Sequence, residues 1–292
     1  MPANPRTTRF APSPTGLLHL GHAYSALFAQ QAGQPFLLRI DDLDEARCKP
    51  EFEVALMEDL RWLGLDWPEP VYRQTDHFDR YRAALNELTE RGLTYPCFCS
   101  RTQIRAEIAA APSAPHGPTG PVYPGTCRRL SQQERQARID DGEPHAWRLD
   151  TAKAADQTGS LSWHEAETGT VQSRPELLGD VVLGPKDTVA SYHLSVVIDD
   201  ALQEVGLVTR GQDLLEATHI HRLLQTLLGL PEPAYHHHRL VVGPDGKRLA
   251  KRADSVAISA FREAGYTHKQ VIDLAFSGQP VGAPEQLVLP TG

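Results

Sequence analysis

His19 and His22 lie three positions apart in the run Arg9-Phe-Ala-Pro-Ser-Pro-Thr-Gly-Leu-Leu-His-Leu-Gly-His22. Residues at that spacing share one face of a helix. The residues ahead of them, Thr8 to Ala11, read as a strand, which Pro12, Pro14 and Gly16 break into a tight loop. Helical spacing begins at about Leu18 and runs through Ala23, Leu27 and Ala29 to a cap at Gly33. A strand, a loop and a helix N-terminus in succession outline an anion site. The first helical turn offers backbone N–H groups and the positive end of the helix dipole. Two imidazoles placed there can donate to phosphate oxygens that gain charge during displacement at phosphorus. A four-residue His-x-Gly-His also recurs on ordinary surface helices, so the surroundings decide between the two readings.

The second chemical group is sulfur. Cys97 and Cys99 in a strand would face the same side. Cys127 arrives from across a stretch rich in Pro and Gly, residues 111–125. Thiols grouped in this way point to zinc more than to a disulfide, against the plainer reading of three reduced thiols. Three thiolates leave a fourth position, for which spacing offers His116. Cys48 stands apart. The third group is the basic turn Gly243-Pro-Asp-Gly-Lys-Arg-Leu-Ala-Lys-Arg252. A loop of this kind can close over a polyphosphate and set Lys251 against the leaving group's charge; a basic surface turn is the alternative. Asp41, Asp42 and Asp44 form an acidic turn at the C-terminal end of a strand, where ligands of open α/β sheets bind. They could take an ammonium group or ribose hydroxyls, or simply cap a helix. The run His236 to His238 points its three side chains in different directions, and no shared metal is expected there.

These groups need a scaffold. Pro35 to Ile40 reads as a strand, and Glu51–Leu63 and His77–Arg91 as amphipathic helices. The alternation from Thr8 to Leu93 predicts a doubly wound parallel sheet. From Tyr95 the pattern becomes irregular, then gives a short helix with Ser131 and Glu134 spaced as a capping box. Trp147–Leu149 and Thr170–Gln172 are candidate strands of an inserted module. Asp180–Leu183 and Tyr192–Ile198 read as β-rich, Leu207–Thr209 as a strand and Leu214–Leu228 as a helix. Two short helices, Ile258–Glu263 and Lys269–Phe276, are predicted in the tail. The expected division is 1–94 and 179–245 as two halves of a nucleotide-binding domain, 95–178 as an insertion, and 246–292 as a loop and helical tail.

The totals narrow the class. With 292 residues, 40% hydrophobic and 23% charged, the chain is an ordinary globular one. Its net charge of −8 argues against a non-specific nucleic-acid binder, while Arg101, Arg105, Arg128, Arg129, Lys247, Arg248, Lys251 and Arg252 still allow a local basic face. No apolar run approaches the ~20 residues of a membrane span, and the N-terminus lacks a secretion signal. A cytoplasmic location is expected.

The motifs together resemble the class I glutamyl-tRNA synthetases. Arg9 to Gly16 followed by Leu18-His-Leu-Gly-His22 is similar to that family's HIGH region, and Arg248-Leu-Ala-Lys-Arg252 to its KMSKS loop. Arg39-Ile-Asp-Asp-Leu-Asp44, Ser195-Val-Val-Ile-Asp-Asp200 and Thr209-Arg-Gly-Gln-Asp-Leu214 resemble its other catalytic-domain segments. The likeness spans about residues 5–275. It implies a Rossmann-like doubly wound parallel sheet with an inserted zinc-containing α+β module and a short helical C-terminal tail. It implies ATP-dependent activation of L-glutamate, with His19, His22 and Lys251 catalytic and Gly21 joining them at ATP. Arg9, Ala11, Ser13, Asp41, Tyr192 and Arg210 match the glutamate-binding positions. Cys97, Cys99, Tyr123 and Cys127 match the zinc ligands, so the resemblance puts Tyr123 where spacing alone offers His116. ATP, Mg²⁺ and one Zn²⁺ per chain are the implied cofactors.

Only about forty residues follow Arg252, so no anticodon-binding domain is expected. That favours the shortened branch of the family, which transfers glutamate to the queuosine base in the anticodon loop of tRNA(Asp). A monomer with no membrane partner is expected. The alternatives are a truncated synthetase charging a tRNA 3′ end, a non-catalytic zinc- and RNA-binding relative, and a small-molecule nucleotidylyltransferase. Three departures stand out: Asp41 in place of a glutamate, Arg248 and Ala250 in place of the loop's Lys and Ser, and a long Cys99–Cys127 insert.

Overall fold

Short β-branched and aromatic runs between amphipathic stretches build strands joined by helices. The computed structural model of the protein describes residues 6–110, 116–117, 120–243, 249, 256–280 and 282. In chain order the strands are β1 (Thr8–Phe10), β2 (Phe36–Ile40), β3 (Tyr72–Arg73), β4 (Thr94–Cys97), β5 (His116–Gly117), β6 (Gly120–Pro121), β7 (Ala146–Leu149), β8 (Ser162–Glu165), β9 (Gly169–Gln172), β10 (Val182–Gly184), β11 (Leu207–Gly211) and β12 (Ala234–His238). The α-helices are α1 (Leu20–Ala32), α2 (Pro50–Trp62), α3 (Phe78–Glu90), α4 (Arg101–Ala110), α5 (Gln132–Asp140), α6 (Thr151–Thr158), α7 (Tyr192–Leu202), α8 (Ala217–Leu227), α9 (Ile258–Glu263) and α10 (His268–Phe276). No helix among the described residues is long and apolar enough to cross a membrane.

The chain forms two compact units. One comprises Asn4–Asp76, Val205–Asp213 and Ala234–Gly292. Here β1, β2 and β3 run parallel, with Arg9 opposite Leu37 and Arg39 opposite Tyr72. β11 and β12 are also parallel, from Leu207 opposite Ala234 to Gly211 opposite His238. The N–H groups of Gly206 and Leu207 both donate to the Thr7 carbonyl at 3.1 Å, which ties the entry of β11 to the start of β1. Parallel strands need helical crossovers, and α1 and α2 supply them. The core draws Ala23, Ala26 and Leu27 from α1, Phe36, Leu38 and Ile40 from β2, and Leu56 and Leu60 from α2. Ile258, Phe261 and Val271 of the tail helices join it. Where α1 ends, Gly33 is extended, and a Cβ there would stand 2.1 Å from the Arg6 carbonyl oxygen. Close backbone approach, not a left-handed turn, requires that glycine.

The other unit comprises His77–Glu204 and Leu214–Pro233, together with the first three residues. Its sheet is antiparallel: β7 pairs with β4, Cys97 opposite Ala146, and with β10, Val182 opposite Arg148. β8 and β9 form a hairpin. Inside the helices, the buried Tyr81 hydroxyl donates to Asp199 at 2.8 Å, joining α3 to α7. Buried Asp180 accepts from the Tyr95 hydroxyl at 2.5 Å, the Thr151 N–H at 3.1 Å and Arg128 at 3.1 Å. One carboxylate thus holds together β4, the head of α6 and the segment bearing Cys127.

Tyr192–Ile198, expected to be β-rich, is instead the first part of α7. Its β-branched run Val196-Val197-Ile198 favours a strand locally. Burying Leu194, Val196 and Val197 on a helix overrides that preference. The strand carrying Cys97 stops there, so Cys99 lies just beyond it. α4, α6 and β12 go beyond the elements expected from the sequence.

Asp59 of α2 is buried to 1% exposure, and neither carboxylate oxygen has a hydrogen-bond partner among the described residues. Burial pushes its pKa up from 3.8 to about 6, against the opposing pull of Arg262, 3.8 Å away on α9. A carboxyl whose pKa rises on folding takes up protons more readily in the native state. Its contribution to stability is therefore complete below about pH 4 and is lost as pH rises through about 6. Asp59→Asn is expected to match the parent protein near pH 4 and to exceed its stability above pH 6 by on the order of 2 kcal/mol. Denaturant titrations across that range read the difference, and a constant offset would refute the assignment.

Candidate active site

The helix that carries the histidine pair is capped by the pair itself. His19 is extended at the N-cap of α1, and its Nδ1 accepts the Gly21 N–H at 3.1 Å. The His22 Nδ1 accepts the His19 N–H, also at 3.1 Å. This is a capping box built from two imidazoles rather than from Ser and Glu. The rings lie 3.8 Å apart, tilted by 33°. A nitrogen that accepts a backbone N–H carries no hydrogen, so the hydrogen of each neutral ring sits on Nε2. Both rings are thereby set as Nε2–H donors at a helix N-terminus. A Cβ on Gly21 would come within 3.0 Å of His19 Cε1, so the small residue between the histidines leaves room for the cap.

The loop before the cap is fixed by its own backbone. The Pro12 carbonyl accepts from the Asp41 N–H at 3.1 Å and the Pro14 carbonyl from the Lys49 N–H at 3.0 Å. The Ser13 carbonyl accepts from Thr15 at 2.8 Å. Ala11 and Ser13 therefore lie on a strand-to-helix loop held between β2 and α2. Arg9, buried in β1, donates through Nη1 to the Thr209 carbonyl of β11 at 2.9 Å. Arg210, the next residue on β11, is likewise buried and donates through Nε to His237 Nε2 at 3.0 Å.

The acidic turn does not pool its charge. Asp41 Oδ1 accepts from the fully buried Arg39 Nε at 2.7 Å. Asp42 accepts from the Thr75 N–H and hydroxyl at 3.0 and 2.7 Å. Asp44 accepts from the Arg47 N–H and Nε at 3.1 and 2.6 Å. Each carboxylate has a separate structural task.

Lys251, with Lys247, Arg248 and Arg252, lies outside the described residues. The chain on the far side of that loop does not: Ile258 N–H donates to the Leu18 carbonyl at 2.8 Å, and Ala257 forms an antiparallel bridge with His19. The stretch that leaves the basic turn is stitched to the histidine cap. Sequence reasoning gave no role to Ala257, whose contact is made by backbone. It gave none to His237 either, although strand alternation puts Tyr235 and His237 on one face of β12.

In the other unit, Tyr192 opens α7, and its ring packs 5.8 Å from His193 and 5.4 Å from His221. The thiols of Cys97, Cys99 and Cys127 lie within 4.8 Å of one another. The Tyr123 hydroxyl sits 3.4 Å from Cys97 Sγ and 3.6 Å from Cys99 Sγ, and Cys99 Sγ is 3.4 Å from Cys127 Sγ. Zinc bonds of ~2.3 Å to sulfur and ~2.0 Å to oxygen put tetrahedral ligands about 3.5–3.8 Å apart, so this donor set fits that ion. Tyr123 also accepts the Cys127 N–H at 3.0 Å, which fixes its oxygen in the cluster. Burial pushes the Cys99 thiol up to about 12. At Cys127 burial pulls the same way, but bonds from the Tyr123 hydroxyl and the Phe98 N–H outweigh it and leave the thiol below its ordinary range. Arg148 stands 3.9 Å over the Tyr123 ring and Arg138 4.1 Å over Phe98, so cations flank the cluster. His116, which spacing offered as fourth ligand, falls in β5.

Comparison with known proteins adds four matches. Residues 6–287 match the family described as tRNA synthetases class I (E and Q), catalytic domain. The chain is 51% identical over 268 residues to a protein named glutamyl-Q tRNA(Asp) synthetase from Rhodobacter capsulatus, covering 88% of this chain and 95% of that one. A protein of the same name from Symbiobacterium thermophilum is 44% identical over 292 residues, covering 95% and 88%. The fold is similar, with a TM-score of 0.72 and 26% identity, to a glutamate tRNA ligase from Elizabethkingia meningosepticum solved with its amino acid. The alignment takes in 97% of this chain and 64% of that one, so the chain spans less than two-thirds of the solved ligase's length.

If the cap sets both imidazoles for a triphosphate, Gly21→Ala will weaken ATP binding roughly ten-fold, since it disturbs hydrogen bonds to a charged group. Thermal stability should change little, because the helix preference of alanine over glycine, about 1 kcal/mol, offsets the crowding of His19. Calorimetric titration with ATP reads the first and thermal unfolding the second. Unchanged ATP affinity would count against the cap's role.

Proposed function

The chain belongs to the class I glutamyl- and glutaminyl-tRNA synthetase family, and on that premise we propose that it activates L-glutamate with ATP and transfers it to the queuosine base in the anticodon loop of tRNA(Asp). The observation that carries the phosphoryl step is that Ala257 and Ile258, six and seven positions after Lys251 in sequence, are bonded by their backbone to His19 and Leu18 at the histidine cap. The relatives named glutamyl-Q tRNA(Asp) synthetase, which the chain matches over 95% and 88% of their lengths, support the choice of acceptor.

In the activation step a carboxylate oxygen of glutamate attacks the α-phosphorus of ATP. The new O–P bond forms as the bond to pyrophosphate breaks, with no covalent bond to the protein. Such a reaction is accelerated by positioning and by charge stabilisation. The Nε2–H groups of His19 and His22, the positive end of the α1 dipole and Lys251 act on the phosphate oxygens, with Gly21 leaving room between the two rings. Mg²⁺ would further neutralise the departing pyrophosphate. Arg9 and Arg210 carry the charge suited to the two carboxylates of glutamate; Ala11, Ser13, Asp41 and Tyr192 are the further positions that the family resemblance assigns to that substrate. Asp41 is one methylene shorter than the family's glutamate and already holds Arg39. A hydroxyl of the queuosine base then takes the glutamyl group and AMP leaves.

We read residues 95–178 as an inserted module between halves 1–94 and 179–245 of a doubly wound nucleotide-binding domain, with the loop and helical tail after it. In that module Cys97, Cys99, Tyr123 and Cys127 hold one Zn²⁺, which locks the segment rather than taking part in the reaction. The protein works as a cytoplasmic monomer.

Pyrophosphate exchange with each amino acid tests the first half: exchange with glutamate is expected, and exchange with another amino acid alone rejects it. Labelled glutamate supplied with tRNA(Asp), with and without queuosine, tests the second. Nuclease mapping should put the label in the anticodon fragment of the queuosine-containing RNA, whereas label at the 3′ end would identify a truncated charging enzyme. Metal analysis should find about one zinc per chain, and Cys99→Ala should reduce it severalfold, as loss of one ligand weakens a four-coordinate site. A purified protein without zinc sinks the metal assignment.

A further inference from the structure

We propose that His237 orients the Arg210 guanidinium and so sets the affinity for the carboxylate substrate, an inference that rests on the reading of Arg210 as a glutamate ligand. β11 and β12 run parallel in a register that puts Arg210 directly opposite His237. Both are buried, at 6% and 3% exposure. Arg210 Nε lies 3.0 Å from His237 Nε2. A guanidinium N–H can only donate, so His237 must accept at Nε2 and carry its own hydrogen on Nδ1. The guanidinium carbon also stands 5.4 Å over the ring of Tyr235. That ring is stacked on His237, 6.0 Å away and within 4° of parallel, as residues two apart on one strand face allow.

A guanidinium can grip a carboxylate through either of two edges, Nε with one Nη, or the Nη pair. With Nε bonded to His237, a forked grip on a carboxylate would come through the Nη pair. The Tyr235 ring beneath fixes the plane in which that edge lies. Lysine could not replace arginine here, since it has no fork to orient. His237 touches no reacting atom in this arrangement and is a positioning residue.

The discriminating measurement is the separation of two Michaelis constants in glutamate-dependent pyrophosphate exchange. His237→Leu removes the acceptor and should raise KM for glutamate about ten-fold or more, the range for losing a hydrogen bond to a charged group. KM for ATP should stay within about two-fold. His237→Gln supplies an amide oxygen as acceptor and should recover most of the loss. In an Arg210→Lys background, His237→Leu should have little further effect, because the pair acts as one unit. Should His237→Leu fail to fold, His237→Met against His237→Gln makes the same comparison. Equal rises in both constants, or a glutamine variant no better than leucine, overturns the role of His237 alone. Absence of glutamate-dependent exchange in the unaltered protein overturns the parent reading, and the inference with it.

Discussion

The structure depends on a helix cap made from two histidine side chains of its own first turn. Helix N-termini leave backbone N–H groups that need acceptors. In α1 two of those acceptors are imidazole nitrogens, His19 Nδ1 for Gly21 and His22 Nδ1 for His19. The bonds do two things at once. They stabilise the first turn, and they choose the tautomer, leaving the hydrogens on Nε2. A Ser-and-Glu capping box would hold the helix as well, as Ser131 and Glu134 do at α5. It would present no imidazole N–H at the helix end. The chain returning at Ala257 and Ile258 then adds its backbone bonds to the same turn.

Around that cap the unit buries three arginines and gives each at least one defined partner. Arg9 donates to a strand carbonyl, Arg39 to Asp41 and Arg210 to His237. Buried arginines are costly unless bonded, and their bonds fix the planes of the guanidinium groups. Two of the three, Arg9 and Arg210, are those we propose for the substrate, so the contacts that bond a buried cation would also aim it.

The other unit reaches rigidity differently. Asp180 gathers a phenol, a backbone N–H and an arginine from separate segments, and the thiols with Tyr123 draw in the stretch that follows Cys99. Long irregular segments bury little apolar surface and need such polar or metal clips to hold one conformation. Cys127 and Arg128, which follow a stretch rich in Pro and Gly, are held by these few bonds.

The sequence by itself determined the elements with strong local patterns. The strand, loop and helix around His19, the helices α2 and α3, the Ser131 capping box and the two tail helices all follow from periodicity and turn residues, within a residue or two at their ends. Its motifs also determined the family. What only the tertiary structure decided falls into two kinds. Val196, Val197 and Ile198 favour a strand locally, but burial on α7 made them a helix. The pairings Arg210 with His237 and Ala257 with His19 join residues whose roles depend on strand register and on backbone bonds. Local propensity acts over a few neighbours, so it fixes a capped helix. A hydrogen bond between strands is set by how the whole sheet aligns, and no short stretch of sequence contains that information.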